Sequence, residues 1–108
     1  MKIIFEKEYL EELYFYGYTR KKKYRYPSGI VRKYVFVIEL IKRSDSIAQL
    51  YQNHSLQIKK LKGNKKNVES IRISLKYRLE YKIIYEIRSD KEEEIVSIIE
   101  LSNHYEPK

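Results

Sequence analysis

Between Val68 and Ile87 the chain alternates apolar and polar residues in two successive runs that meet at Lys76. Ile71, Ile73 and Leu75 share one parity against Ser70, Arg72 and Ser74. Tyr77, Leu79, Tyr81, Ile83, Tyr85 and Ile87 then share a parity against Arg78, Glu80, Lys82, Glu86 and Arg88. A period of two is what a strand with one buried face requires, and a helix would spread the same residues around its whole circumference. The runs read as the arms of a hairpin, which commits the chain to a sheet that an apolar layer must cover. In that hairpin Arg72 and Arg78 lie near the turn at Lys76, carried by rigid backbone. Cations whose orientation is set in advance suit a reacting phosphate, because nothing has to reorganise as charge develops.

The covering layer is found upstream. Lys2 to Glu6 reads as a short strand, an edge candidate, leading into a helix over Glu8 to Tyr16 with Leu10, Leu13, Tyr14 and Gly17 near helical spacing. Glu8, Glu11 and Glu12 stand early in that helix, where its dipole favours acids. Val31, Tyr34, Val35, Ile38 and Ile41 predict a long helix from about Ile30, interrupted at Arg43-Ser44-Asp45-Ser46 and resumed through Ala48 and Leu50 to Gln52. Ser28 is a candidate cap for the first piece and Asp45 or Ser46 for the second. Ser55 to Leu61 reads as a further short strand. Lys62 to Asn67 is a cationic turn in which Gly63, Asn64 and Asn67 tolerate positive φ. Ser89 to Glu94 is a polar reversal. Ile95 to Leu101 is apolar on both parities apart from Ser97 and Glu100, the mark of a strand central in its sheet. The fold class predicted is α+β: N-terminal helices packed on a twisted, mainly antiparallel sheet of four or five strands, as one domain over residues 1–108.

Charge narrows the partners. Lys and Arg number 23 against 15 Asp and Glu, a net of +8, which draws nucleic acid or an acidic protein and also serves as a solvated, solubilising surface. Five of the cations fall in Thr19 to Tyr26, a basic run with two tyrosines that reads either as a solvated loop or as an RNA contact. The absence of cysteine excludes disulfides, iron–sulfur clusters and thiolate zinc sites. His54 and His104, fifty residues apart, make a poor metal site, and no cofactor is expected. Charges interrupt the apolar start after Phe5 and every later apolar run, so neither a secretory leader of the usual design nor a membrane span is expected, and the cytoplasm is the expected location.

The run Leu61-Lys62-Gly63, then Lys66, then Ser70-Ile71-Arg72-Ile73, then Tyr77-Arg78-Leu79 resembles the RelE/ParE superfamily of toxins from type II toxin–antitoxin pairs, most closely its HigB-like branch. The ending Leu101-Ser102-Asn103-His104-Tyr105-Glu106 resembles the end of the last strand in that branch, where a His or Tyr commonly follows. The matches span roughly the last 55 residues.

The resemblance implies a ribosome-dependent endoribonuclease that cleaves mRNA in the decoding site with basic and aromatic side chains and no metal. It implies a cognate helix-turn-helix antitoxin (HigA-like) that binds operator DNA together with the toxin. Arg78, after an aromatic residue, matches the family's catalytic-site arginine, against the alternative of a strand arginine paired with Glu80 or Glu86. Arg72 matches the other strand arginine, where structural pairing is an equal reading. His104 matches the C-terminal catalytic position, and an ordinary imidazole pKa near 6.5 suits proton transfer. Tyr105 would stack on a base, donate a proton, or pack on the sheet. Lys62, Lys65 and Lys66 are RNA-binding candidates, and His54 is a lesser one.

The chain departs from the family at Val68 and Glu69, where an aromatic or glycine is common, and at Ser74, where Asn is. Glu69 would weaken phosphate attraction if it pointed into the site. Two other functions are compatible with the same fold: a ParE-like gyrase-inhibiting toxin, and a non-catalytic basic module that binds RNA or DNA.

Overall fold

A computed structural model describes residues 1–65 and 67–103. Its frame is the predicted hairpin. Strand β3 (Glu69–Arg72) and strand β4 (Arg78–Arg88) pair antiparallel from Arg72 opposite Arg78 to Glu69 opposite Tyr81. The first arm is shorter than its alternation suggests, because Ile73 and Ser74 N–H both turn inward to the Tyr77 carbonyl at 3.0 Å and close the loop early. Strand β5 (Lys91–Ser102) returns along the whole of β4. Strand β1 (Lys2–Phe5) adds parallel to β5, and the two-residue strand β2 (Lys59–Lys60) adds antiparallel to β3. The sheet order is β1-β5-β4-β3-β2, five strands with one parallel pair and β5 in the interior as its composition requires.

A register shift in β5 explains why that strand is apolar on both parities. Glu80 faces Glu100 but Tyr81 faces Ile98, so Ile99 is an extra residue that resets the alternation. Val96, Ile98 and Leu101 thereby all point to the helices and are buried, although Ile98 and Leu101 differ in parity. Ile95, on the other face, is covered as well.

The helical layer follows its patterning closely. Helix α1 spans Glu8–Tyr16 and buries Tyr9, Leu10 and Leu13. Gly17 ends it at φ 69°, its N–H donating to the Leu13 carbonyl at 3.0 Å, a left-handed cap that favours glycine. Helix α2 (Ser28–Arg43) buries Val31, Tyr34, Val37, Ile38 and Ile41; Val37 takes the buried place predicted for Val35. Ser28 is the first helical residue rather than a cap, since Pro27 holds the cap position and brings no side-chain acceptor. Helix α3 (Ile47–Tyr51) begins at Ser46, whose Oγ accepts from Gln49 N–H at 3.1 Å. The Tyr34 hydroxyl, fully buried, donates to the Leu10 carbonyl at 2.8 Å and ties the two long helices together.

Two segments depart from their pattern. Ser55 to Leu61 is a single 3-10 turn over His54–Leu56 followed by β2, not one strand. The predicted reversal at Ser89 to Glu94 shrinks to Ser89 and Asp90, at φ 49° and 63°, with Lys91 to Glu94 continuing the strand. The β4–β5 hairpin outruns the helices, so Tyr85 and Ile87, inward by parity, are 56% and 81% exposed. Among the described residues no strand pairs with β4 from Lys82 to Arg88 on the side away from β5.

Candidate functional site

The face of the sheet turned away from the helices carries Ser70 and Arg72 of β3 and Arg78, Glu80 and Lys82 of β4. Arg72 and Arg78 are direct cross-strand partners at the end of the hairpin. Like charges placed opposite each other repel, so such a pair persists only where other groups orient the guanidiniums. Gln57 does this. Its carbonyl accepts from Arg78 Nη2, and its side-chain Oε1 accepts from Arg72 Nη1 at 3.0 Å. Gln57 sits at φ 46°, a left-handed conformation that turns both acceptors toward the arginines. Arg78 Nε also donates to Ser70 Oγ at 2.7 Å, and its Nη2 to the Ser70 carbonyl at 3.3 Å.

The two arginines are therefore unlike. Arg78 is only 6% exposed and its guanidinium is fixed by Ser70 and Gln57, so the charged face expected at this end of β4 is covered by the segment carrying Gln57. Arg72 is half-buried, and Nη1 is its only nitrogen with a hydrogen-bond partner among the described residues. Arg72 is thus the guanidinium that can meet a phosphate from solvent, with Arg78 setting the field beneath it.

Lys65 lies in the 3-10 turn Gly63–Lys65 and folds over the same face, its Nζ 3.0 Å from both carboxylate oxygens of Glu80. Glu80 is 2% exposed, so this is a buried carboxylate met by a partly exposed ammonium. Such a pair needs its partner to stay charged in the interior. Lys62 is exposed and makes no contact with the arginines among the described interactions. His54 is exposed on the turn that leads to Gln57, in a shallow hollow shared with Tyr51, Ile58 and Lys60. Lys66, His104 and Tyr105 lie outside the described residues. Ser102, opposite Arg78, ends β5.

Glu69 points the other way. On the helix side, its Oε2 accepts from the Tyr51 hydroxyl at 2.6 Å and its Oε1 from the Tyr81 hydroxyl at 2.9 Å. Burial pushes the Tyr81 phenol well above the usual range, and the Glu69 charge beside it adds to the shift. This acid does not oppose a phosphate at the arginines.

Gln57 and Ser70 were missed at the sequence level, and Glu80, weighed there as a partner of Arg78, is buried and meets Lys65. Gln57 carries no turn chemistry in its residue type, and Ser70 looks like any polar strand position. Among the described residues no group of three or more His, Cys, Asp or Glu is arranged to hold a metal ion.

Comparison with solved structures finds neighbours over nearly the full chain. A YoeB/ParE toxin from Agrobacterium tumefaciens superposes with TM-score 0.58 at 19% identity, covering 97% of this chain and all of that one. The fold is that of the YoeB/ParE toxins. A YoeB–YefM complex from Staphylococcus aureus gives 0.54 at 20% identity over 97% of this chain and 98% of that one. A heterotetrameric YoeB–YefM toxin–antitoxin complex from the same organism gives 0.50 at 22% identity with the same coverage. No protein-family model and no curated protein sequence matches the chain.

Proposed function

We propose that this chain is the toxin of a type II toxin–antitoxin pair, acting in the cytoplasm as a ribosome-dependent endoribonuclease that arrests translation by cleaving mRNA. The observation that carries the reading is the in-register arginine pair, oriented by Gln57 on the face of the sheet turned away from the helices, in a chain with the YoeB/ParE fold. The HigB-like motifs around Lys62, Arg72 and Arg78 support the same reading.

In the proposed reaction the ribose 2′-oxygen attacks the adjacent phosphorus, the bond from phosphorus to the 5′-oxygen breaks, and the product strand carries a cyclic phosphate. Arg72 holds the non-bridging oxygens, and Arg78 supplies fixed positive charge behind it. His104 is assigned to proton transfer, with Tyr105 stacking on a base or donating to the leaving oxygen. Lys62, Lys65, Lys66 and His54 are assigned to binding the RNA backbone, with Lys65 engaged first by Glu80. The antitoxin, a helix-turn-helix protein in this reading, neutralises the toxin by covering its basic surface and binds operator DNA with it.

The test is induction in growing cells with mapping of transcript ends. Cuts within translated frames, lost in Arg72→Ala, are expected. Intact transcripts with accumulating DNA breaks would replace this reading by a ParE-like gyrase inhibitor. Intact transcripts and intact DNA would leave a non-catalytic basic module.

A further inference from the structure

The loop between α1 and α2 is fastened to the end of the sheet that bears the arginine pair, and among the described residues none of its cations forms an ion pair. Tyr24 stacks on Tyr9 with ring centroids 3.7 Å apart and planes 3° from parallel. The Tyr26 hydroxyl donates to the Leu101 carbonyl at 2.9 Å, and the ring meets Tyr77 edge-on at 5.4 Å. Tyr9 closes the arrangement by accepting from Leu101 N–H at 3.1 Å. At the loop's start, the buried Thr19 donates to Glu12 at 2.6 Å and accepts from Lys21 N–H at 3.3 Å. Tyr77 immediately precedes Arg78, so Tyr26 brings the loop against the residue next to the site.

On this backbone Arg20, Lys21, Lys22, Lys23 and Arg25 are all exposed. None has a carboxylate within 4.0 Å among the described residues, whereas Lys7, Lys65, Lys82 and Arg88 each pair with a glutamate. Glu8 and Glu12 line a hollow with Arg20 and Lys21 without pairing to them, and Glu12 is already occupied by Thr19. The Arg25 guanidinium lies over the ring of Tyr18 at 5.3 Å and donates to its hydroxyl at 2.8 Å, a flat cationic surface with Tyr18 53% exposed. A cluster of like charges on anchored backbone keeps its mutual repulsion until a polyanion relieves it, and anchoring removes most of the ordering cost of binding.

We propose that the loop from Thr19 to Tyr26 is a phosphate-backbone grip for RNA, with Lys21, Lys22, Lys23 and Arg25 as its contacts and Tyr18 stacked under Arg25 as a base platform. The proposal rests on the reading that the chain acts on RNA, and it adds a binding surface at the end of the sheet that carries the arginine pair. Because the contacts are to phosphate, binding is sequence-independent and salt-dependent.

The test titrates the purified full chain with an RNA duplex of mixed sequence at several salt concentrations. The K21Q/K22Q/K23Q variant is compared with wild type, and with K33Q/R43Q/K91Q, which removes the same charge elsewhere. The loop variant is expected to bind at least about tenfold more weakly at moderate salt, with a salt slope shallower by roughly two to three, while the control keeps nearly the wild-type slope. Equal losses in both variants would reduce the effect to net charge and overturn the proposal. A loop variant that loses polyglutamate binding as much as RNA binding would overturn it in favour of an acidic protein partner. Transcript mapping with wild type separates the two readings: duplex binding through the loop without transcript cleavage sinks the nuclease and leaves the grip standing.

Discussion

The two arginines lead to opposite experimental signatures. Arg78→Ala strands the Ser70 hydroxyl and carbonyl in a covered place and leaves the Gln57 carbonyl to water, and each buried unsatisfied acceptor costs about 1–3 kcal/mol. Chemical denaturation should therefore show a loss of about 2–4 kcal/mol alongside any loss of activity. Arg72→Ala gives up one bond on a half-exposed side chain and should cost no more than about 1 kcal/mol, so it isolates chemistry from folding. A stable Arg78→Ala protein would mean that the segment at Gln57 is held by something else. The buried tyrosines make a second residue-scale prediction. Burial pushes the Tyr9 phenol up to about 12 and moves those of Tyr34 and Tyr81 further in the same direction. The folded chain thus keeps protons that the unfolded chain releases near pH 10, so their contribution is fully present below pH 10 and is lost as pH rises through the folded values. Stability should be flat in this respect up to about pH 9 and then fall by up to about 1.4 kcal/mol per pH unit for each of the three. Denaturation midpoints followed between pH 8 and 12 with phenolate absorbance would check this, and a flat profile would refute it.

At the scale of single elements, the caps and turns carry the predictions. Ser46→Ala removes the side-chain acceptor of α3 and should cost about 1 kcal/mol, visible as faster amide exchange in Ile47 to Tyr51. Ser89 and Asp90 both stand at positive φ in a two-residue hairpin turn, a conformation Asn-Gly adopts with little strain. Ser89→Asn with Asp90→Gly should raise stability by about 1 kcal/mol, measured as a shift in denaturation midpoint at unchanged slope. These elements were the legible ones. The span of α1, the break at Ser44 to Ser46 and the interior place of β5 follow from caps, acids and periodicity close in the chain. The short β3, the bulge at Ile99 and the turn at His54 to Leu56 depend on which carbonyl an N–H finds across space, which local pattern does not encode. The site divides in the same way. The arginine pair follows from counting strand positions, whereas the covering of Arg78 and the pairing of Glu80 with Lys65 depend on a segment without periodicity folding back over the sheet.

Over the whole molecule, charge and apolar surface are laid out unevenly. Ion pairs hold the face of the sheet, five cations without an ion pair among the described residues crowd the loop fastened by Tyr26 to Tyr77, and the far end of the long hairpin is apolar on one side. That far end has a consequence of its own. Along Lys82 to Arg88 the outer amides and carbonyls of β4 lack a neighbouring strand among the described residues, while Tyr85 and Ile87 offer side chains to pack against. A chain in its native state already presents the template on which a further strand can crystallise, so clumping needs no prior melting and its rate climbs with concentration at ordinary temperature. Ile87→Lys should slow light scattering of a concentrated sample severalfold while leaving the melting temperature within about a degree. The length that lets β4 carry an arginine at one end thus leaves a growth point for aggregates at the other.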